Sequence, residues 1–278
     1  MATRTIGCAL WSLAIPETIA SLRAAARLGF RAVQFAFLQE SDLGPAGRRA
    51  LGAALKETGL AVPAGMIAFP GESYASIEAV RATGGFAPAG PFPERLAHCR
   101  RVGQALAALG IRHVTTHAGF IPEPGEAGYR DVLRRIGRAV DALHEAGLTV
   151  GLETGQETAA VLLKVLDDLG RAFLSVNFDP ANLVLYGVED PVGAARAVAR
   201  RVTMMHAKDA TWSARPHEEW GAEVPLGTGS VDLAGVLGAL TAGGFAGPII
   251  IEREAGRDRP KDLAAGRRFL EKLLAQAS

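Results

Sequence analysis

The sequence predicts an α/β fold, a single (β/α)8 TIM barrel formed by residues 1–278, and three observations predict it. Helix-like stretches and short apolar runs alternate eight times along the chain. A glycine then marks six of the hand-overs from helix to strand, at Leu28-Gly29-Phe30, Thr58-Gly59-Leu60, Leu109-Gly110-Ile111, Ala146-Gly147-Leu148, Leu169-Gly170 and Gly243-Gly244-Phe245. Finally, the later strands carry one small or polar face and one apolar face. Glycine after a helix accepts the left-handed cap conformation without steric penalty. Alternation of this kind gives a parallel sheet covered by helices, and eight units in about 250 residues favour a closed barrel over an open doubly wound sheet.

Strands are expected at about residues 4–10, 31–37, 60–67, 111–117, 148–153, 173–179, 202–207 and 248–252. The first helix carries Ile19, Leu22 and Ala26 on one face, with Pro16 placed where a first helical turn tolerates it. A later helix carries Leu96, Cys99, Leu106 and Leu109, and the next one Val132, Ile136, Val140 and Leu143. These spacings put the apolar residues of each helix on one buried stripe. Two connections exceed ordinary loop length, residues 68–92 and residues 208–230, the second containing Trp212 and Trp220. Loops this long are usually functional, and both are expected as lids or as a subunit contact, which would make the protein a homo-oligomer.

Composition narrows the class. Hydrophobic residues make up 49% of 278, and Lys+Arg 30 against Asp+Glu 29 leave no excess charge to attract polyanions or a membrane surface. Neither a nucleic acid nor a membrane is expected as a partner. The two cysteines, Cys8 and Cys99, lie far apart and outside any metal-binding spacing. A reducing, cytoplasmic setting is expected, since no apolar run approaches the roughly 20 residues of a membrane span.

The chemistry is expected at four strand ends. The runs Thr149-Val-Gly-Leu-Glu153, Phe173-Leu-Ser-Val-Asn-Phe-Asp179, Val202-Thr-Met-Met-His206 and Pro248-Ile-Ile-Ile-Glu252 each end in a metal-binding side chain. Strand side chains alternate between faces. Glu153 therefore shares a face with Thr149 and Gly151, and Asp179 with Ser175 and Asn177, whereas Val150, Leu152, Leu174, Val176 and Phe178 face the helices. The four ligand candidates point into the barrel at the carboxyl ends of strands five to eight, where barrel enzymes place their sites. Three carboxylates and an imidazole aimed at one spot repel without a cation. Their oxygen-rich donor set suits Mn²⁺ first, with Mg²⁺, Co²⁺ or Zn²⁺ as alternatives. A lone Asp before Pro180 could instead cap a helix, and Glu254 shares the inward parity of Glu252 but lies beyond the expected strand.

The segments Gly151-Leu-Glu-Thr-Gly-Gln-Glu157, Asn177-Phe-Asp-Pro-Ala-Asn182, His206-Ala-Lys-Asp209, Pro225-Leu-Gly-Thr-Gly229 and Ile251-Glu-Arg-Glu254 resemble the xylose isomerase-like TIM barrels. Within these the chain resembles the sugar phosphate isomerase/epimerase family, with matching order from Trp11-Ser12 to Glu252. The resemblance implies a divalent metal held by Glu153, Asp179, His206 and Glu252, and a small sugar, polyol or keto-sugar substrate. It also implies that Glu153 and Glu252 move the proton on opposite faces of the substrate, through an enediolate. One departure matters: Asn182 stands where many relatives carry His, and an amide cannot shuttle a proton.

Around this set, Trp11, His117 and Lys208 have inward parity and are expected with Asn182 to bind substrate. Each has a bland alternative: a plug of the barrel mouth for Trp11, a satisfied core histidine for His117, a rim salt bridge to Asp209 for Lys208. Gln156 and Glu157 are expected at a helix start, where Glu favours the helix dipole without function. Gly227-Thr-Gly229 could offer backbone N–H groups to an anion but lacks the lysine of a phosphate-cradling loop.

The leading reading is a metal-dependent isomerase or epimerase. The alternatives are a hydro-lyase, which expels a β-hydroxyl from the same enediolate, and a sugar-binding subunit of a larger enzyme. A nuclease of the same superfamily needs more histidines than His117 and His206 at strand ends, and more positive charge.

Overall fold

Helices in this chain stop where glycine lets the backbone turn back. Gly59 closes α2 (Pro45–Thr58) at φ 65° and Gly170 closes α6 (Ala159–Leu169) at φ 62°, each donating its N–H to a carbonyl of the last turn. Six of the seven glycines in the hand-over marks have positive φ, between 62° and 97°; in the pair Gly243-Gly244 it is Gly244 that turns, and Gly243 stays at φ −84°. Pro16 lies one residue ahead of the Glu17 N-cap of α1 (Thr18–Arg27), not inside its first turn.

The computed structural model describes residues 4–276. Eight parallel strands form a closed barrel: β1 (Ile6–Ala9), β2 (Ala32–Phe35), β3 (Ala61–Ile67), β4 (His113–His117), β5 (Thr149–Glu153), β6 (Leu174–Phe178), β7 (Val202–Ala207) and, last in the chain, β10 (Ile249–Ile251). Around the barrel they follow chain order, with β1 pairing both β2 and β10. The first two strands are shorter than expected, and Trp11 falls in a 3₁₀ turn, Leu10–Leu13, just after β1.

The long helices α4 (Phe92–Ala108), α5 (Tyr129–Glu145), α9 (Leu233–Ala242) and α10 (Arg259–Gln276) complete the outer layer with α1, α2, α6 and the shorter α8 (Pro191–Val198). On α5, Val132, Ile136, Val140 and Leu143 are all buried, as the spacing requires. Burying one such side chain contributes about 1.5–3 kcal/mol, so a charge at Ile136 would break this face. The main core is the layer between strands and helices and includes Val150, Leu152, Leu174, Val176 and Phe178. A separate small cluster of Ala9, Ala64, Met204 and Ile250 fills the barrel interior beneath Trp11. Gly7 belongs to that crowded interior, where a Cβ would meet Ala32 O and Ile250 Cδ1, both at 2.8 Å.

The two long connections are built segments. Residues 68–92 contain α3 (Ile77–Thr83), and the Glu72 carboxylate ties the segment together by accepting from the N–H groups of Phe69 at 2.8 Å and Gly85 at 2.6 Å. Buried Arg95 closes it from below on the carbonyls of Thr83 and Gly85. Residues 208–230 contain an antiparallel hairpin of β8 (Asp209–Thr211) and β9 (Ala222–Val224). No helix among the described residues is long and apolar enough to cross a membrane.

Candidate metal centre

Four side chains converge at the carboxyl ends of consecutive elements. Glu153 is the last residue of β5, Asp179 follows β6, His206 is the penultimate residue of β7 and Glu252 follows β10. Each offers a ligand atom within 4.8 Å of the others, and all four are buried. His206 Nδ1 is the hub, 3.4 Å from Glu153 Oε1, 3.6 Å from Asp179 Oδ2 and 3.5 Å from Glu252 Oε2.

The orientation of the imidazole is fixed from behind. Its Nε2 lies 2.6 Å from Gln34 Oε1, and Gln34 Nε2 donates to Thr115 Oγ1 at 2.7 Å. Asn177 Nδ2, a donor, lies 3.1 Å from the same nitrogen, but the Gln34 oxygen is nearer and an amide oxygen can only accept, so we assign the proton to Nε2 and the lone pair of neutral His206 to Nδ1, facing the carboxylates. Asn177 Nδ2 donates to Glu153 Oε2 at 2.9 Å, which turns Oε1 toward the hub.

Asp179 has two functions, one for each oxygen. Oδ1 caps the short helix α7 (Pro180–Tyr186) by accepting from Ala181 N at 2.8 Å and Asn182 N at 3.2 Å. Oδ2 faces His206. Thr154 holds the residue in place, accepting from Asp179 N at 2.7 Å and donating to Asp179 O at 2.9 Å.

Asp179 Oδ2 and His206 Nδ1 are both buried without a hydrogen-bond partner among the described residues. An unsatisfied buried polar atom costs about 1–3 kcal/mol, so two of them aimed at one point mark a place for a bound group. Three carboxylate donors and one imidazole nitrogen fit a divalent cation.

The electrostatics agree. Burial alone would lower the His206 imidazole, yet Glu153 and Glu252 hold it well above its ordinary value. Burial would raise Glu252, but Lys208 and then His206 outweigh it and hold the carboxyl well below the usual range. Glu153 is likewise lowered against its burial, by His117 and His206. Asp179 is raised, because burial outweighs the Lys208 charge.

The other residues expected at the site lie against this cluster. Trp11 Nε1 donates to Glu252 Oε1 at 2.8 Å, His117 Nε2 lies 3.6 Å from Glu153 Oε1, and Asn182 Nδ2 donates to Thr154 O at 3.0 Å and to Glu153 Oε1 at 3.3 Å. Lys208 Nζ donates to Glu252 Oε2 and Glu254 Oε2, both at 2.9 Å. The expected alternative, a salt bridge from Lys208 to Asp209, is not what forms. The Asp209 carboxylate instead accepts from the N–H groups of Ala210, Gly227, Gly229 and Val231. That occupies the N–H groups of Gly227 and Gly229, so this loop does not offer them to an anion. Gln156 and Glu157 precede the Thr158 N-cap of α6, and Glu157 turns back to accept from Gly155 N at 3.3 Å.

Sequence reasoning missed Gln34. Its signal is an amide inside the run Ala-Val-Gln-Phe of β2, paired in register with Ala9, whose side chain lies inside the barrel. Tyr74 was also missed: its ring centroid lies 6.3 Å from that of His117, and its side chain is exposed. A lone aromatic in a long connection gives no sequence signal for that placement.

The profile of the family described as xylose isomerase-like TIM barrel matches residues 22–273. The structure of a xylose isomerase domain protein from Planctomyces limnophilus is 35% identical, covering 91% of this chain and 91% of its own, with a TM-score of 0.87. An L-ribulose 3-epimerase structure is 19% identical over 99% and 96% of the two chains at a TM-score of 0.75. A xylose isomerase-like TIM barrel protein from Mycobacterium smegmatis in complex with magnesium is 17% identical over 99% and 98%, also at 0.75. At such identities the last two share the fold. No curated protein matches the chain in sequence.

Proposed function

This chain belongs to the xylose isomerase-like TIM-barrel family, and from that premise we propose that it is a metal-dependent isomerase or epimerase of a small sugar, polyol or keto-sugar. The observation that carries the reading is the pair Glu153 and Glu252, two buried carboxylates reaching the same imidazole nitrogen, at 3.4 and 3.5 Å, from strands three places apart with β6 and β7 between them. The epimerase and the magnesium-bound barrel among the structural neighbours support it.

Glu153, Asp179, His206 and Glu252 would hold the ion, Mn²⁺ first and Mg²⁺ next. A divalent ion there supplies positive charge for the oxygens of a carbonyl and its neighbouring hydroxyl. The remaining work belongs to the chain. Glu153 and Glu252, ionised by their cationic neighbours, take and return the proton on the carbon beside the carbonyl, each on its own face. His117, 3.6 Å from Glu153, and Lys208, 2.9 Å from Glu252, bind substrate oxygens beside each base. Asn182 supplies a hydrogen bond where a proton shuttle would need another residue. Trp11 sets the orientation of Glu252 and offers an aromatic face to a sugar ring.

The test is a proton NMR screen of ketoses, inososes and keto-glycosides in heavy water with Mn²⁺, recorded after the metal is removed. Deuterium at a carbon beside the carbonyl, with no loss of water, is the expected result. Exchange accompanied by loss of water would make the protein a hydro-lyase, and no exchange in any class would overturn the reading.

A further inference from the structure

We infer that Glu254 is a positioning residue that takes the Lys208 ammonium so that Glu252 is free to bind the metal ion; the inference rests on the metal site proposed above. Lys208 is 4% exposed and lies among three carboxylates: Glu252 Oε2 at 2.9 Å, Glu254 Oε2 at 2.9 Å and Asp179 Oδ2 at 3.8 Å. Two of these oxygens are the ones that face His206 Nδ1. A dication engaged by them would neutralise the charge that attracts Lys208 and would repel the ammonium itself. Glu254 stands outside the four-ligand group and its side chain is half-exposed, so it is the carboxylate left for Lys208.

The fold takes care to keep Glu254 in place. The Glu223 carboxylate, on β9, accepts from Glu254 N at 2.9 Å and from Ala255 N at 3.3 Å, and pairs with Arg253 at 2.8 Å. Arg253 in turn holds Asp262 of α10 at 2.9 Å. The side chains of Glu223 and Arg253 are each 8% exposed. The hairpin of the long 208–230 connection therefore locks the segment after β10 against the barrel. A lysine has a flexible stem and a point charge, so without a second fixed carboxylate it would either stay on Glu252 or swing away.

The experiment is a Mn²⁺ titration followed by electron paramagnetic resonance on wild type, Glu254→Gln, Lys208→Met and the double variant. Loss of a charged hydrogen bond corresponds to tenfold or more, so Glu254→Gln should weaken Mn²⁺ binding about tenfold. In the Lys208→Met background the same change should cost less than about twofold, because the effect acts through the lysine. Glu254→Asp should recover part of the affinity. Equal losses in both backgrounds, or no loss in either, would overturn the inference while leaving the metal site intact. No Mn²⁺ binding by wild type would instead remove the metal site, and this inference with it. A crystal structure of the Mn²⁺-loaded wild type should place Lys208 Nζ on Glu254 and away from Glu252 Oε2.

Discussion

Asp179 Oδ2 and His206 Nδ1 face each other at 3.6 Å, fully buried and without a hydrogen bond among the described residues. The pair separates two explanations of Asp179, since its other oxygen is committed to capping α7. Asp179→Asn can keep the capping oxygen while losing the charge; Asp179→Ala loses both. Elemental analysis should find one divalent ion per chain in wild type and little in either variant. Thermal melts after chelation should show a further loss of about 1 kcal/mol only for the alanine. Equal metal content in wild type and Asp179→Asn would remove the metal assignment.

Gln34 gives His206 Nε2 its acceptor, so its replacement should be felt at the proposed metal site. Gln34→Leu leaves a buried imidazole N–H without its acceptor, at a cost of about 1–3 kcal/mol of stability. Metal affinity should fall about 10- to 100-fold, the usual scale for a residue that orients a ligand. Gln34→Glu keeps the acceptor and should restore most of it. Calorimetric titration with Mn²⁺ checks both variants, and an unchanged affinity in Gln34→Leu would mean that the tautomer is set elsewhere.

The contrast between Asp179 and Gln34 also indicates what is legible in the sequence. Glu153, Asp179, His206 and Glu252 end apolar runs in register with the strand period, so alternation alone turns them inward and their convergence follows from barrel closure. The glycines mark the strand starts because a helix cap needs positive φ at a fixed place. Gln34, Glu223 and Tyr74 obey no such local rule: each matters through a partner more than 30 residues away, His206, Glu254 or His117. The β8–β9 hairpin was hidden for another reason. Its strands of three residues are too short to show a period, and side chains such as Asp209 and Glu223, rather than an apolar face, hold it.

Buried Glu157 and half-buried His113 should give opposing pH dependences of stability. Burial pushes the Glu157 carboxyl up to about 7. The folded state then binds more protons than the unfolded one from about pH 4.5 to 7, so stability falls as pH rises through that window. Burial lowers His113 to about 4, where it bridges Thr149 Oγ1 at 2.8 Å and Thr203 Oγ1 at 3.4 Å inside the barrel. The unfolded state binds more protons there, so this term makes stability rise from about pH 4 to 6.5. The two largely cancel in wild type. Glu157→Gln should unmask the histidine, giving a steeper rise in stability with pH and a gain of order 1–3 kcal/mol at pH 8. Urea denaturation of both proteins at pH 5 and pH 8 measures it, and parallel pH profiles would show that Glu157 does not titrate in this range.

If Glu252 is a base as well as a ligand, Glu252→Gln should separate the two roles. Its Oε1 accepts from Trp11 and its Oε2 from Lys208, so a glutamine must turn its NH₂ toward one of these donors. The metal side should win the remaining oxygen, with Lys208 held by Glu254, and the lost Trp11 bond is the smaller cost. Metal content should therefore drop modestly, whereas turnover should fall about 10²- to 10⁴-fold for want of a proton acceptor. Glu153→Gln keeps Asn177 and Asn182 as neighbours and should behave alike. In a two-base epimerase, one of the two variants should still exchange the substrate proton with solvent from a single face while failing to invert the centre. A hydro-lyase would instead lose water in the wild-type reaction, and a conjugated carbonyl would absorb in the ultraviolet. Exchange, inversion and absorbance measured on the three proteins distinguish these outcomes, and wild-type turnover in Glu252→Gln would exclude Glu252 as the base.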